Sequence, residues 1–90
     1  MKSKILITGA AGFIGAALSK KLLDEGYFII GIDNINDYYS PKLKNDRINS
    51  IEKNRKYNSS SWIFKRCSID NRENLNLIFE KYKPSIVINL

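Results

Sequence analysis

The chain has 90 residues, 43% of them apolar and 27% charged, with 15 Lys and Arg against 9 Asp and Glu for a net charge of +6. That length allows one small domain with a limited core; the apolar share is too high for a disordered chain, and no apolar run reaches membrane-spanning length. With no His and a single cysteine, Cys67, an internal disulfide is excluded and no His/Cys metal constellation can form.

Met1-Lys2-Ser3-Lys4 leads straight into Ile5-Leu6-Ile7, an apolar run read as a buried parallel strand that ends at Thr8. So short a lead leaves no room for a signal peptide, and a cytoplasmic protein is expected. The strand breaks at Gly9, and Gly9, Gly12 and Gly15 follow the spacing G-x-x-G-x-x-G. A helix is predicted from about Gly12 to Glu25, with Ile14, Ala17, Leu18 and Leu22 as its apolar face and Gly26 as its stop. Strand, glycine turn and helix N-terminus together make an anion site, because the first helical N–H groups lack internal partners and sit at the positive end of the dipole. Gly9 lets the chain turn, Gly12 lets a pyrophosphate come close to the backbone, and Gly15 lets the helix lie near the strand. The alternative is a turn that only packs, and the context argues against it. A second strand, Tyr27 to Ile32, ends at Asp33, 24 residues after Gly9. That is close to the offset of about 20 expected for an acid that holds an adenosine ribose.

Asp33 to Pro41 is a polar connection at the carboxyl end of the second strand, the edge along which open parallel sheets bind ligands. Ser40 and Pro41 read as N-cap and first position of a second helix, reaching about Asn54 with a thin apolar face of Leu43, Ile48 and Ile51. A third of the Lys and Arg fall between Lys42 and Arg55, with Lys56 beyond. A solvated helix face is preferred there over a nucleic-acid surface, because Asp46 and Glu52 interrupt the run and no aromatic stripe accompanies it. Tyr57 to Ser61 is a loop, and Trp62 to Cys67 a third strand. Cys67 is read as a packing residue at the strand end, since no His is present to activate a thiol. Asp70 or Asn71 caps a third helix lined by Leu75, Ile78, Phe79 and Tyr82, with Lys81 and Lys83 near its C-terminal dipole and Pro84 as its stop. Ser85 to Leu90 is a fourth strand.

This alternation predicts an α/β fold: the N-terminal half of a Rossmann-type parallel sheet, four strands in the order 3-2-1-4, with helices on both faces. A buried-type strand at the end of the chain leaves one flank unpaired, so residues 1–90 are expected to be a nucleotide-binding half-domain from a longer protein.

Thr8-Gly9-Ala10-Ala11-Gly12-Phe13-Ile14-Gly15 resembles the glycine signature of the extended short-chain dehydrogenase/reductases, which act mainly on nucleotide-sugars. Asp33-Asn34-Ile35-Asn36-Asp37-Tyr38-Tyr39 is similar to a stretch that follows strand two in the nucleotide-sugar epimerase branch of UDP-glucuronate type. Lys42-Leu43-Lys44 and Ile86-Val87-Ile88-Asn89-Leu90 fit the same pattern, so the resemblance covers essentially the whole chain.

The resemblance implies NAD as cofactor. Gly9, Gly12, Phe13 and Ile14 would meet its pyrophosphate, and Asp33 its adenosine ribose, disfavouring a 2′-phosphate and so NADP. Asn34, Asn36 and Asp37 would lie beside the adenosine. Ser68 and Ile69 stand where the family has an Asp-Ile/Leu pair at the adenine; Ser68 departs from that pattern and lacks the carboxylate's charge. Leu90 begins the family's turn after strand four. The family's catalytic Tyr-x-x-x-Lys lies further downstream. The literal match, Tyr38 to Lys42, is rejected because Pro41 would break a helix spanning it. No catalytic or metal-binding residue is therefore assigned here. The parent protein is expected to be an NAD-dependent nucleotide-sugar 4-epimerase, a homodimer with a nucleotide-sugar substrate and neither nucleic-acid nor membrane partners. A dehydratase or reductase on the same scaffold, a non-catalytic NAD-binding regulatory module and a basic nucleic-acid binder are the alternatives.

Overall fold

The apolar runs become the strands of one parallel sheet. The computed structural model describes residues 3–35, 41–53 and 61–90. In chain order the elements are β1 (Lys4–Thr8), α1 (Phe13–Asp24), β2 (Phe28–Asp33), α2 (Pro41–Glu52), β3 (Trp62–Arg66), α3 (Arg72–Tyr82) and β4 (Ile86–Asn89). The strands lie in the order β3-β2-β1-β4, as the sequence predicts, with Ile5 beside Ile29 and Ile86, and Ile29 beside Trp62. Because side chains alternate along a strand, the near-continuous apolar runs supply two cores at once. Ile5, Ile7 and Ile29 pack with Leu23 of α1 and Ile48 and Ile51 of α2. Leu6, Ile30 and Ile32 pack on the opposite face with Ile78 and Tyr82 of α3. Among the described residues no helix is long and apolar enough to cross a membrane.

The helix ends follow their local chemistry. Gly26, at φ +94°, terminates α1: its N–H donates to Leu23 O at 3.0 Å and the Tyr27 N–H to Leu22 O at 3.1 Å, a paired C-terminal closure. Of the two proposed caps of α3, Asn71 is the one used, its side chain accepting from the Asn74 N–H at 3.2 Å. The expected cap Ser40 lies outside the described residues.

The helix faces need correction. α1 buries Gly15, Ala16, Ser19 and Leu23, while Ile14 and Ala17 are exposed and Leu18 and Leu22 are half-buried. The stripe is rotated by about one residue because small residues let the helix approach the sheet; Ser19 satisfies its buried hydroxyl by donating to Gly15 O at 2.7 Å. α2 buries Lys44 with Ile48 and Ile51, and Leu43 faces outward. In α3, Phe79 is exposed and the buried contacts come from Ile78 and Tyr82. The basic segment is not a uniform solvated face either. Lys42 and Lys53 are exposed, but Lys44 is buried and Arg47 is turned toward the glycine loop; Arg55 and Lys56 lie outside the described residues.

Candidate nucleotide site at the carboxyl edge of the sheet

Parallel strands all deliver their C-terminal ends to one edge, and the glycine turn, Asp33 and Leu90 meet there. Gly9 leaves β1 at φ +71°, a backbone region that a side chain would disfavour. The Gly12 N–H closes the turn on Gly9 O at 3.0 Å, and the Ala10 N–H ties it to Ile32 O of β2 at 3.1 Å. Gly15 is fixed by space: a Cβ there would stand 2.0 Å from Gly9 O and 2.8 Å from its carbonyl carbon. α1 begins at N-cap Gly12 with no side-chain cap and no acidic residue in its first turn. Its positive end is therefore left to the cleft rather than to a residue of the chain.

Asp33, at the end of β2, is 5% exposed. Its Oδ2 accepts from the Ala11 N–H at 3.1 Å, and its Oδ1 from the Ile35 N–H at 2.8 Å. The second bond holds Ile35 at φ +52°, an unusual conformation for a β-branched residue that the carboxylate's short-range bond stabilises. Lys44 Nζ donates to the same Oδ1 at 3.3 Å, forming a buried ion pair. One turn along α2, Arg47 donates to Ala11 O at 3.2 Å, and its guanidinium lies 5.9 Å from the centre of the Phe13 ring. The residue Ala11 is thus held by Asp33 at its N–H and by Arg47 at its carbonyl. On the far side, Leu90 donates its N–H to Thr8 Oγ1 at 3.1 Å and backs onto Gly9.

These groups surround a cleft of about 630 Å³ whose walls include Gly12, Phe13, Ile14, Leu43 and Arg47. A smaller recess of about 200 Å³, reaching Asn34, Cys67 and Ile69, shares Gly9, Asp33, Lys44 and Leu90 with it. Phe13 and Ile14, 77% and 67% exposed, stand at the rim. Eight of the predicted site residues are therefore assembled: Gly9, Gly12, Phe13, Ile14, Asp33, Asn34, Ile69 and Leu90. Ser68 lines neither space, and its hydroxyl accepts from the Asp70 N–H at 3.2 Å. Asn36 and Asp37 lie outside the described residues. Lys44 and Arg47 were not among the predicted site residues. The signal was there: Lys44, Ile48 and Ile51 follow the i, i+4, i+7 spacing of one helix face.

The open cleft, the glycines without side chains and the acid at its end suit a dinucleotide, whose pyrophosphate needs close backbone approach and whose ribose needs an acceptor. The sequence profile of the GDP-mannose 4,6 dehydratase family matches residues 6–90. The chain belongs to this family. Within it, the chain is 46% identical over 87 residues to protein CapI of Staphylococcus aureus, covering 97% of this chain and 24% of that protein. It is 42% identical over 85 residues to UDP-glucuronate 4-epimerase of Thermodesulfobacterium geofontis, covering 94% of this chain and 25% of that enzyme. The crystal structure of UDP-glucuronic acid 4-epimerase from Bacillus cereus, in complex with UDP-glucuronic acid and NAD, superposes with a TM-score of 0.78 at 35% identity, covering 97% of this chain and 26% of that one. The sheet is accordingly of Rossmann type, and the chain spans about a quarter of the length of these relatives.

Proposed function

We propose that residues 1–90 form a half-domain that binds the adenosine–pyrophosphate part of NAD, and that the longer protein it belongs to is an NAD-dependent nucleotide-sugar 4-epimerase of UDP-glucuronate type. The observation that carries this reading is the buried carboxylate of Asp33, set beside the glycine turn at the head of an open cleft. The relatives that include UDP-glucuronate 4-epimerases, one of them crystallised with NAD, support it.

Each group has a physical role in this reading. Gly9 and Gly12 present backbone without side chains, and the N–H groups at Phe13 and Ile14 face the pyrophosphate from the positive end of α1. Asp33 accepts from the ribose hydroxyls. A carboxylate has about four lone-pair positions, so with Ala11, Ile35 and Lys44 already donating, full engagement of the ribose needs Lys44 to yield its place. Asn34, Ile69 and Leu90 flank the adenosine end. Asn36 and Asp37 join them on the strength of the family resemblance, as does Ser68 once its hydroxyl turns from Asp70. The cofactor, when bound, supplies the hydride acceptor and donor for oxidation and re-reduction of a sugar carbon.

The longer protein is proposed to be a cytoplasmic homodimer acting on a nucleotide-sugar. A dehydratase on the same scaffold is the second reading, favoured by the description of the matching family. Analysis of the product formed from UDP-glucuronate by the longer protein separates the two.

Titration of NAD into the chain, followed by amide NMR, tests the binding claim. Saturable shifts are expected at Gly9 to Gly15, Asp33 and Leu90. Asp33→Asn should weaken binding by about tenfold, the equivalent of one charge-assisted hydrogen bond. A dispersed spectrum that does not respond to NAD would overturn the proposal for this chain.

A further inference from the structure

β3 is an outer strand of the sheet, and among the described residues no strand pairs with its far side. Ser61 O accepts from the Ile29 N–H at 2.8 Å, and the Cys67 N–H donates to Asp33 O at 3.0 Å. Bonding to one parallel neighbour uses every second residue of a strand, so Ile63 and Lys65 also turn to β2. Phe64 and Arg66 therefore present their N–H and C=O groups outward, as a template for another strand. Beside this edge, between β3 and α3, runs a groove of about 240 Å³. Its apolar lining includes the buried Ile78 and Tyr82 and the 63% exposed Leu77. Lys65, Arg66 and Lys81 stand around it. Among the described residues no carboxylate lines the groove, and none of the three cations is ion-paired. Arg66 is steadied by its Nε, which donates to Asn34 O at 3.2 Å, and the Lys81 ammonium lies 5.4 Å from the centre of the Tyr82 ring. Among the described residues the groove shares only Cys67 with the recess of the candidate nucleotide site, so it is a separate surface.

We propose that the β3 edge and the adjoining groove form a docking site for an extended acidic segment of a partner protein, which joins the sheet as a further strand beside β3. Strand addition draws affinity from main-chain hydrogen bonds, here with Phe64 and Arg66, and specificity from alternate side chains. Every second residue of the added strand lies on the α3 face of the sheet. An apolar residue on that face covers Leu77, and carboxylates on either side of it meet Lys65, Arg66 and Lys81. Charge decides the occupant. A second copy of this chain would set Lys65 and Arg66 against their own kind, and like charges opposed across strands are unfavourable. The edge therefore rejects its own copy and selects an acid-bearing strand. Protection against self-pairing needs only the charges; the exposed Leu77 beside them adds an attractive element that protection does not require.

The test titrates the acidic peptide acetyl-Glu-Thr-Leu-Thr-Glu-Thr-amide into the full chain, followed by amide NMR and hydrogen exchange, with acetyl-Lys-Thr-Leu-Thr-Lys-Thr-amide as the basic counterpart. The acidic peptide should shift the amides of β3 and of α3 around Leu77 saturably. At saturation it should slow exchange of the Phe64 and Arg66 N–H groups by about tenfold, because both then have acceptors. The basic peptide should bind about tenfold more weakly. Lys65→Glu/Lys81→Glu should reverse that order of preference, and Leu77→Ser should weaken the acidic peptide severalfold while keeping the order. The absence of a saturable response, or shifts confined to β4, would overturn the proposal. Shifts on β3 with unchanged exchange at Phe64 and Arg66 would overturn it too, since they report a charge contact without strand addition. Should Lys65→Glu/Lys81→Glu fail to fold, the two peptides on the unaltered chain and Leu77→Ser, at an exposed position, decide between these outcomes.

Discussion

Gly31 sits in the middle of β2, where a glycine ordinarily weakens a strand. The space above it explains the residue: a Cβ would stand 2.7 Å from the Trp62 ring and 3.0 Å from Ala10 Cβ. Trp62 lies across the next strand and is packed into the core shared by α1 and α2. Gly31→Ala should therefore displace the indole and destabilise the chain by about 1–3 kcal/mol, the usual cost of overpacking. Urea unfolding and Trp62 fluorescence would show this as a lower midpoint and a shifted emission. The double variant Gly31→Ala/Trp62→Phe should cost less than the sum of its parts, because the smaller ring vacates the space. Simple additivity would mean that the two residues do not compete for it. Sequence alone exposed the turn glycines, since Gly9, Gly12 and Gly15 sit between a strand run and a helix run. Gly31 stayed opaque because its reason is a ring 31 residues further along the chain. Lys44 was opaque for a related cause: a lysine reads as solvated until a buried partner such as Asp33 is known to face it.

Among the elements, the strands were the most legible and the helix faces the least. Runs such as Phe28-Ile29-Ile30 admit one reading in a parallel sheet covered on both sides, and neighbouring order follows from crossover rules. A helix face depends on what it packs against. α1 turns its small residues to the sheet and leaves Ile14 at the cleft rim, a choice governed by the close approach at Gly15 that hydrophobicity does not encode. α3 shows the opposite case, where local chemistry sufficed. Asn71 caps it, Glu73 occupies its first turn and Lys81 its last. Few other contacts bind α3's N-terminal end, where Arg72, Glu73 and Asn74 are exposed. Asn71→Ala should thus cost about 1 kcal/mol of stability. Amide hydrogen exchange should localise the loss to the first turn of α3, and Asn71→Asp should retain most of the protection. Uniform loss across the sheet would place the residue's role elsewhere.

At the scale of the whole molecule, the candidate nucleotide site and the larger core depend on one another. The cleft takes residues from α1, β2 and α2 together with Gly9 and Leu90, which directly follow β1 and β4, so it exists only when all five are docked. Asp33 illustrates the coupling: it joins the glycine turn through Ala11, the exit of β2 through Ile35, and α2 through Lys44. A ligand that engages this edge binds the folded chain and has no equivalent site in the unfolded one. Mass action then requires stabilisation, by about 2.7 kcal/mol at a ligand concentration one hundred times the dissociation constant. For a domain of this size each kcal/mol moves the thermal midpoint by about 4–8 °C. NAD at that excess should raise the midpoint by about 10–20 °C, and adenosine alone, lacking the pyrophosphate proposed to meet the glycine turn, should do much less at equal concentration. Scanning calorimetry over a series of NAD concentrations tests the relation directly. A midpoint that climbs with the logarithm of NAD ties binding to the docking of these five elements. A midpoint that stays flat while NMR reports saturation would mean that the unfolded chain binds NAD equally well, and the cleft would then not be the site.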